Sequence, residues 1–173
     1  MLVSNALVGL REGLEAALVV VILLAFLVRT GREGSVRHVW LGVGAAVALS
    51  AALGAVLTFG TGELEERTEE LIGGIASLVA VALVTTMIFW MRSVGRSFAR
   101  ELTGRLDRAL TLGPLAVAAV AFVGVGREGL ESALFFFATV RSAPDQGITP
   151  ALGWLIGLGL AVALGVAVYR GAV

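Results

Sequence analysis

Five long apolar stretches divide this chain, and each is long enough to cross a lipid bilayer. Because a bilayer core requires about 20 mostly apolar residues per helix, the pattern predicts transmembrane helices over residues 3–28, 38–59, 71–91, 113–140 and 150–170. Shorter polar segments separate these spans. We therefore predict an all-α fold, a polytopic membrane helix bundle with five transmembrane helices.

Arginine in the connections predicts the orientation of the bundle. The connections after the first and third spans carry most of the arginines: Arg29, Arg32, Arg37, Arg92, Arg96, Arg100, Arg105 and Arg108. Cytoplasmic loops are enriched in Arg and Lys, so both connections are expected in the cytoplasm. The protein is then a multi-pass protein of the cell (inner or plasma) membrane, with its N-terminus outside and residue 173 inside. The four-residue spacing of Arg92, Arg96 and Arg100 indicates a short amphipathic helix at the cytoplasmic surface.

An internal repeat relates the first and fourth spans. Arg11-Glu12-Gly13-Leu14-Glu15 returns unchanged as Arg127-Glu128-Gly129-Leu130-Glu131, 116 residues later, and Ala46-Val47-Ala48-Leu49 returns as Ala161-Val162-Ala163-Leu164, 115 residues later. An odd number of crossings separates the equivalent helices, so they run in opposite directions. This is the inverted repeat of many secondary transporters.

The repeat predicts the organisation of the chain. Residues 1–92 form a first three-helix repeat, 93–112 the Arg-rich cytoplasmic connection, and 113–173 a second repeat with only two helices. We expect the chain to be truncated after its fifth helix. The groove meant for the absent helix is then left open or filled by another copy of the chain in a homo-oligomer.

Small residues recur at every fourth position in the second and fifth spans, and such stripes allow close helix packing in lipid. They comprise Gly42, Ala46, Ser50 and Gly54 in one span and Gly153, Gly157, Ala161 and Gly165 in the other. We predict that both stripes are packing seams.

Composition narrows the classes of function. Of the side chains, 58% are hydrophobic and the mean hydropathy is +0.96, while 13 arginines balance 13 acidic residues. This balance argues against a nucleic-acid binder. The chain has no cysteine and one histidine, His38, which excludes disulfides, thiolate metal sites and imidazole clusters.

The duplicated motif carries the candidate chemistry. At about 100° per residue, its Arg and two Glu side chains project from one face of a helix. Three charged groups cost on the order of 8 to 10 kcal/mol at the centre of a membrane helix, so they require partners. Two arginines against four glutamates leave a net charge of −2. Oxygen-only ligands select a hard cation, and chemistry alone leaves magnesium, calcium, manganese and iron open.

The duplicated motif, together with Phe89-Trp90-Met91-Arg92 at the end of the third span, resembles the high-affinity iron permease family, the oxidase-dependent iron transporters of bacteria and fungi. The resemblance implies a seven-helix, 3+3+1 inverted-repeat transporter, of which this chain holds five helices. It implies that the transported ion is iron, Fe³⁺ rather than Fe²⁺, and that an extracytoplasmic iron oxidase or a periplasmic iron-delivery protein is the partner. The ligands it implies are Glu12, Glu15, Glu128 and Glu131, supported by Arg11 and Arg127.

An acidic loop after the second span is a candidate outer site where iron first binds, with Glu63, Glu65, Glu66, Glu69 and Glu70. It fits an electrostatic funnel for cations, and equally a solvated loop without function. Family members often have Glu-Gly-Ile at the start of the third helix, where this chain has Gly73-Gly74-Ile75, and Glu69 or Glu70 could replace that carboxylate.

We therefore predict a permease, not an enzyme, that imports ferric iron across the plasma membrane through paired intramembrane glutamates. The alternatives are a carrier for another hard divalent cation, a proton-coupled secondary transporter, and a scaffold in which Arg11 and Arg127 pair with glutamates of the facing helix. A membrane-embedded enzyme has the least support, since no His, Cys or Ser constellation accompanies the glutamates.

Overall fold

The computed structural model describes residues 2–59, 97–142 and 148–172, together with residues 71, 74, 75, 78, 79, 81, 82, 85 and 86. Within these ranges the chain is helical, without β-strands, which confirms the all-α prediction. The helices are α1 (Leu2–Arg29), α2 (Val36–Phe59), α3 (Phe98–Leu112), α4 (Pro114–Ser142) and α5 (Thr149–Ala172). A 3₁₀ turn, Glu33–Ser35, leads from α1 into α2.

Four of the five predicted spans coincide with α1, α2, α4 and α5 to within a few residues. The predicted third span, 71–91, lies largely outside the described residues, and the positions described there are helical. The fourth span begins one residue later than predicted because Gly113 has a positive φ of 113° and ends α3. Pro114, which has no backbone N–H to leave unpaired, then opens α4.

The amphipathic helix predicted from Arg92, Arg96 and Arg100 lies partly outside the described residues, since only Arg100 is among them. The described part of the Arg-rich connection forms α3, which is amphipathic. Leu102, Leu106 and Ala109 are buried along one face, while Arg105 and Arg108 lie on the exposed face. The buried face packs against α1 and α4. Nη1 of Arg32, in the connection after α1, donates a hydrogen bond to Oδ1 of Asp107 at 2.9 Å and ties that connection to α3.

The helices associate as two parallel pairs, α1 with α5 and α2 with α4. Glycine allows both contacts, because a Cβ at Gly157 would meet the carbonyl oxygen of Ala6, and a Cβ at Gly42 would meet that of Ala118. Gly42 and Gly157 are equivalent positions of the repeat, 115 residues apart. These contacts confirm the predicted packing seams.

The relative direction of the two helices in each pair follows from which residues contact each other along them. Along α1 and α5, Gly9 faces Trp154 and Gly13 faces Ala161, so the contacts advance together and the two helices are parallel. Along α2 and α4, the contacts of Gly42 with Ala118 and of Gly129 with Ser50 advance in the same way.

In contrast, α1 and α4 cross in opposite directions. Gly124, in the first half of α4, faces Val19 in the second half of α1. Glu128, further along α4, comes close to Glu12 in the first half of α1. Antiparallel packing therefore brings the two charged motifs to the same level of the bundle.

Among the described residues, two helical segments are long and apolar enough to cross a membrane on these grounds alone, Glu33–Thr58 and Thr149–Gly171. Helices α1 and α4 are longer, but the Arg-Glu-Gly-Leu-Glu motif places three charged residues in each. Many large apolar side chains on α2 and α5 are exposed, including Leu41, Val47, Leu155 and Leu160. In a bilayer, such faces contact lipid.

Candidate metal centre

The charged motif of α1 is organised by its arginine. Arg11 and Glu15 are four residues apart and therefore lie on the same side of the helix. The Nε of Arg11 donates a hydrogen bond to Oε1 of Glu15 at 3.3 Å, and its Nη1 lies 3.8 Å from Oε1 of Glu12. One guanidinium thus faces both carboxylates of its own motif.

The motif of α4 repeats this arrangement. The Nε of Arg127 donates to Oε1 of Glu131 at 3.1 Å and lies 3.9 Å from Oε1 of Glu128. Both arginines are partly exposed, at 38% and 40% of the side-chain surface. The two copies of the sequence motif therefore have nearly the same local geometry on two antiparallel helices.

Between the helices, three carboxylates converge. One oxygen each from Glu12, Glu128 and Glu131 lies within 4.8 Å of the other two. Glu12 is 1% exposed, Glu128 7% and Glu131 4%. A single ion could contact one oxygen from each residue, so the geometry suits a cation bound between the two motifs.

Several oxygens of this cluster accept no hydrogen bond from the described part of the chain. They are buried atoms: both carboxylate oxygens of Glu12, and Oε2 of Glu128 and of Glu131. A buried carboxylate oxygen that accepts no hydrogen bond is costly, since the nearby guanidinium groups replace only part of its hydration. These oxygens are free to coordinate a cation.

Glu15 lies outside this group of three. Its side chain is 20% exposed, and it lines a cavity of about 650 Å³. Glu128 and Arg127 line the same cavity, as do Leu18 and Val19 of α1 and Val123 of α4. The structure thus brings together three of the four predicted ligands and places the fourth at the wall of the adjoining cavity.

The cavity extends from the carboxylates to α3. Its far wall includes Phe98, Glu101, Leu102 and Arg105. It borders the second half of α1 and the first half of α4, the ends that the loop charges assign to the cytoplasm. The space therefore leads from the predicted site towards the predicted cytoplasmic side.

Aromatic residues occupy the bundle on the other side of the carboxylates. The rings of Phe136 in α4 and Trp154 in α5 pack at a centroid distance of 5.8 Å, and Phe137 is 1% exposed. Phe136 follows Glu131 by five residues, and the backbone of Trp154 contacts Gly9, three residues before Glu12. Packed rings thus border the site on the side away from the cavity.

Of the remaining predicted residues, only His38 lies among those that the structure describes. The acidic loop with Glu63, Glu65, Glu66, Glu69 and Glu70 lies outside the described residues, as does Gly73. His38 stands near the beginning of α2, and its Nδ1 is buried.

Sequence reasoning missed Glu101 and Arg105 as cavity-lining residues. Their four-residue spacing indicates an ion pair on α3, and Oε1 of Glu101 accepts a hydrogen bond from Nη2 of Arg105 at 2.5 Å. Nothing in the sequence indicates which helices this pair faces.

Comparison with known proteins places these features in a family context. The chain matches the Iron permease FTR1 family over residues 2–173. It is 41% identical over 170 residues to the ferrous iron permease EfeU of Yersinia pestis, covering 96% of this chain and 60% of that protein. The proteins of the same name from Yersinia pseudotuberculosis serotype I and Escherichia coli O6:H1 are also 41% identical over 170 residues, again 96% of this chain, and 59% and 61% of their own lengths are covered.

The chain thus spans about 60% of the length of the curated relatives it matches. No solved structure matches it at a significant level.

Proposed function

This chain belongs to the Iron permease FTR1 family, and from that premise we propose that it carries iron across a membrane through the buried carboxylates of α1 and α4. The family indicated by the duplicated motif is confirmed, and relatives named as permeases make this a membrane protein. The substrate ion, its ligands and its route are the substance of the proposal.

The observation that carries the proposal is the convergence of Glu12, Glu128 and Glu131 with their unpartnered oxygens. Ionisable groups at membrane depth are costly and are typical of ion pathways. Here they come from both copies of a repeat and meet where α1 and α4 cross. A cation bound there would compensate charges that the described residues leave without hydrogen bonds.

The charge of the two motifs favours a divalent ion. Four glutamates and two arginines sum to −2, so Fe²⁺ would leave the centre neutral and Fe³⁺ would leave it at +1. The curated relatives carry ferrous iron in their names. We therefore propose Fe²⁺ as the ion that occupies the centre, in place of the ferric ion implied by the resemblance.

An oxidase or iron-delivery partner stays a prediction of the resemblance. It is tested by comparing uptake of Fe²⁺ and of ferric citrate by the protein alone. Faster uptake of the ferric form would support Fe³⁺ and the oxidase partner.

The proposed route of the ion follows from the difference between the two sides of the carboxylates, one bordered by aromatic rings and the other by the cavity. Iron reaches Glu12, Glu128 and Glu131 past the aromatic side of the site, passes to Glu15, and leaves through the cavity that borders α3. The parallel pairs α1 with α5 and α2 with α4 support an inverted repeat, in which rocking of one unit against the other alternates access. A membrane potential assists, at about 2.3 kcal/mol per charge per 100 mV.

A carrier for another hard divalent cation is the second candidate. Oxygen-only ligands in a cluster that no nitrogen or sulfur donor joins among the described residues would also accept Mn²⁺ or Mg²⁺. Competition separates the two: an iron carrier takes up Fe²⁺ in the presence of a hundredfold excess of Mg²⁺ and Ca²⁺, whereas a general carrier does not.

The decisive experiment is Fe²⁺ uptake into proteoliposomes containing the purified chain. Glu128→Gln keeps the side-chain shape and removes the charge, so uptake should fall to the level of empty liposomes. Glu33→Gln changes an exposed glutamate in the 3₁₀ turn and should leave uptake unchanged. Uptake by Glu128→Gln at the rate of Glu33→Gln would refute the proposal.

A further inference from the structure

The cavity has an ion pair at its α3 end that the transport scheme above does not use. Glu101 and Arg105 both line the cavity together with Glu15 and Glu128. Oε1 of Glu101 accepts a hydrogen bond from Nη2 of Arg105. Their side chains are 48% and 57% exposed, so the pair stands where the cavity meets the exposed face of α3.

We propose that Glu101 is a second cation-binding residue, which receives the divalent ion released into the cavity by Glu15 and Glu128. This inference rests on the proposed function, because it assigns the next step of the same route. The ligand class is the same hard divalent cation, bound here by a carboxylate that Arg105 holds when no ion is present.

The inner end of the route supports this assignment. Glu128 is 7% exposed, its Oε2 accepts no hydrogen bond from the described residues, and the side chain lines the same cavity as Glu101. The cavity thus has at one end a buried carboxylate with one oxygen that accepts no hydrogen bond from the described residues, and an accessible carboxylate at the other. An ion that leaves Glu128 crosses a space whose walls include Leu18, Val19 and Val123, and Glu101 is the acidic side chain that α3 contributes to that space.

Arg105 weakens cation binding at Glu101. A cation at Glu101 must displace or face the guanidinium of Arg105, and like charges repel. Binding at Glu101 is therefore weak and reversible, as release towards water requires. Without Arg105, Glu101 should hold the cation tightly instead of releasing it.

The placement of α3 makes the pair part of the transport route. Leu102 and Leu106 anchor the helix in the core formed with α1 and α4, and they alternate along α3 with Glu101 and Arg105. Glu101 is thereby held at the cavity and not left on a loose surface segment.

The first test is Fe²⁺ uptake by Glu101→Gln in anaerobic proteoliposomes, with Asp107→Asn as the matched control. Each variant removes from α3 one acidic residue that pairs with an arginine, but Asp107 faces Arg32 in the connection after α1, whereas Glu101 lines the cavity. We expect the initial rate of Glu101→Gln to fall about fivefold or more and that of Asp107→Asn to stay within twofold of wild type. Equal rates for the two variants would overturn the inference.

The second test counts bound ions by equilibrium Fe²⁺ binding to the protein in detergent. Arg105→Gln should bind two ions where the wild type tightly binds one, and Glu101→Gln/Arg105→Gln should return the number to one. A single ion bound by Arg105→Gln would overturn the inference. If Glu128→Gln abolishes uptake while Glu101→Gln has no effect, the proposed function stands and only the role of Glu101 fails.

Discussion

Glu12 and Glu128 are 116 residues apart in the chain, yet each contributes a carboxylate oxygen to a group whose members lie within 4.8 Å of one another. They are the same position of a duplicated motif, on helices that cross in opposite directions. Two buried acids at this distance repel one another unless a cation or a proton lies between them. The repeat therefore brings equivalent acids together at the contact between its copies, where we propose the ion site.

The first prediction concerns stability without metal. Because both oxygens of Glu12 are buried and accept no hydrogen bond from described residues, and its ion pair with Arg11 is long at 3.8 Å, Glu12→Gln should stabilise the metal-free protein by about 1 kcal/mol, since burying a neutral amide costs less than burying a carboxylate. The same variant should lose the stabilisation that Fe²⁺ gives the wild type, about 2.7 kcal/mol at a hundredfold excess over Kd. Thermal unfolding in detergent, with and without Fe²⁺, measures both, and Glu33→Gln is the control.

A metal-free Glu12→Gln protein that melts below the wild type, or that retains the full shift on adding Fe²⁺, would be inconsistent with an ion bound at Glu12.

The second prediction separates transport from scaffolding. Exchanging the charges of one motif, Arg11→Glu with Glu15→Arg, keeps the four-residue spacing of the ion pair and the net charge of the helix. A helix pair of this kind contributes about 0.2 to 0.5 kcal/mol, but the exchange also puts a carboxylate in place of the guanidinium that faces buried Glu12, so the free energy of unfolding should fall. Iron uptake should fall at least tenfold, because a guanidinium then stands where Glu15 lines the cavity.

Expression level and unfolding in detergent give the structural readout for the exchanged protein. If it is as stable as the wild type and transports at the wild-type rate, the motif is a scaffold.

The third prediction tests the seam between α1 and α5. A Cβ at Gly157 would overlap the carbonyl oxygen of Ala6, whereas nothing lies within 4 Å of a Cβ at Gly159. Gly157→Ala should therefore destabilise the bundle by about 1 to 3 kcal/mol, and Gly159→Ala should be neutral or stabilising by up to about 1 kcal/mol through helix propensity. Reversible unfolding in mixed detergent micelles compares the two, and equal stabilities would show that α1 and α5 do not pack through Gly157.

The fourth prediction addresses the cavity and the orientation of the bundle. The chain contains no cysteine, so single substitutions can be labelled without background. Ala119 lines the cavity, whereas Ala121, two residues further along α4, is fully buried. Ala119→Cys should react with a charged thiol reagent at least about tenfold faster than Ala121→Cys, and only from the cytoplasmic side of oriented vesicles.

Labelling of Ala119→Cys from the outer side would reverse the predicted topology. Equal reactivity of the two variants would contradict an open cavity beside α4.

Much of the helix arrangement could be predicted from the sequence because each of its features depends on a pattern within the chain. Apolar length predicted α1, α2, α4 and α5, and the repeated motif predicted that Glu12 and Glu128 meet. The small-residue stripe predicted that Gly157 lies at a backbone contact. These predictions depend on periodicity and on chain direction, which sequence determines directly.

The different positions of the four glutamates could not be predicted from the sequence in this way. Glu15 and Glu131 occupy equivalent places in identical motifs, but Glu131 joins the buried cluster and Glu15 borders the cavity. Glu15, unlike Glu131, lines the cavity to which α3 contributes a wall, and α3 packs against both α1 and α4. Docking of α3 depends on the shape of an assembled surface, and an amphipathic pattern does not specify that surface.

Iron binding between α1 and α4 is tested most directly by anomalous diffraction at the iron edge from crystals of the protein soaked anaerobically in Fe²⁺. We predict a peak between α1 and α4, within bonding distance of carboxylate oxygens of Glu12, Glu128 and Glu131, that disappears in Glu128→Gln. Bound iron located elsewhere, with no density among these three carboxylates, would contradict it.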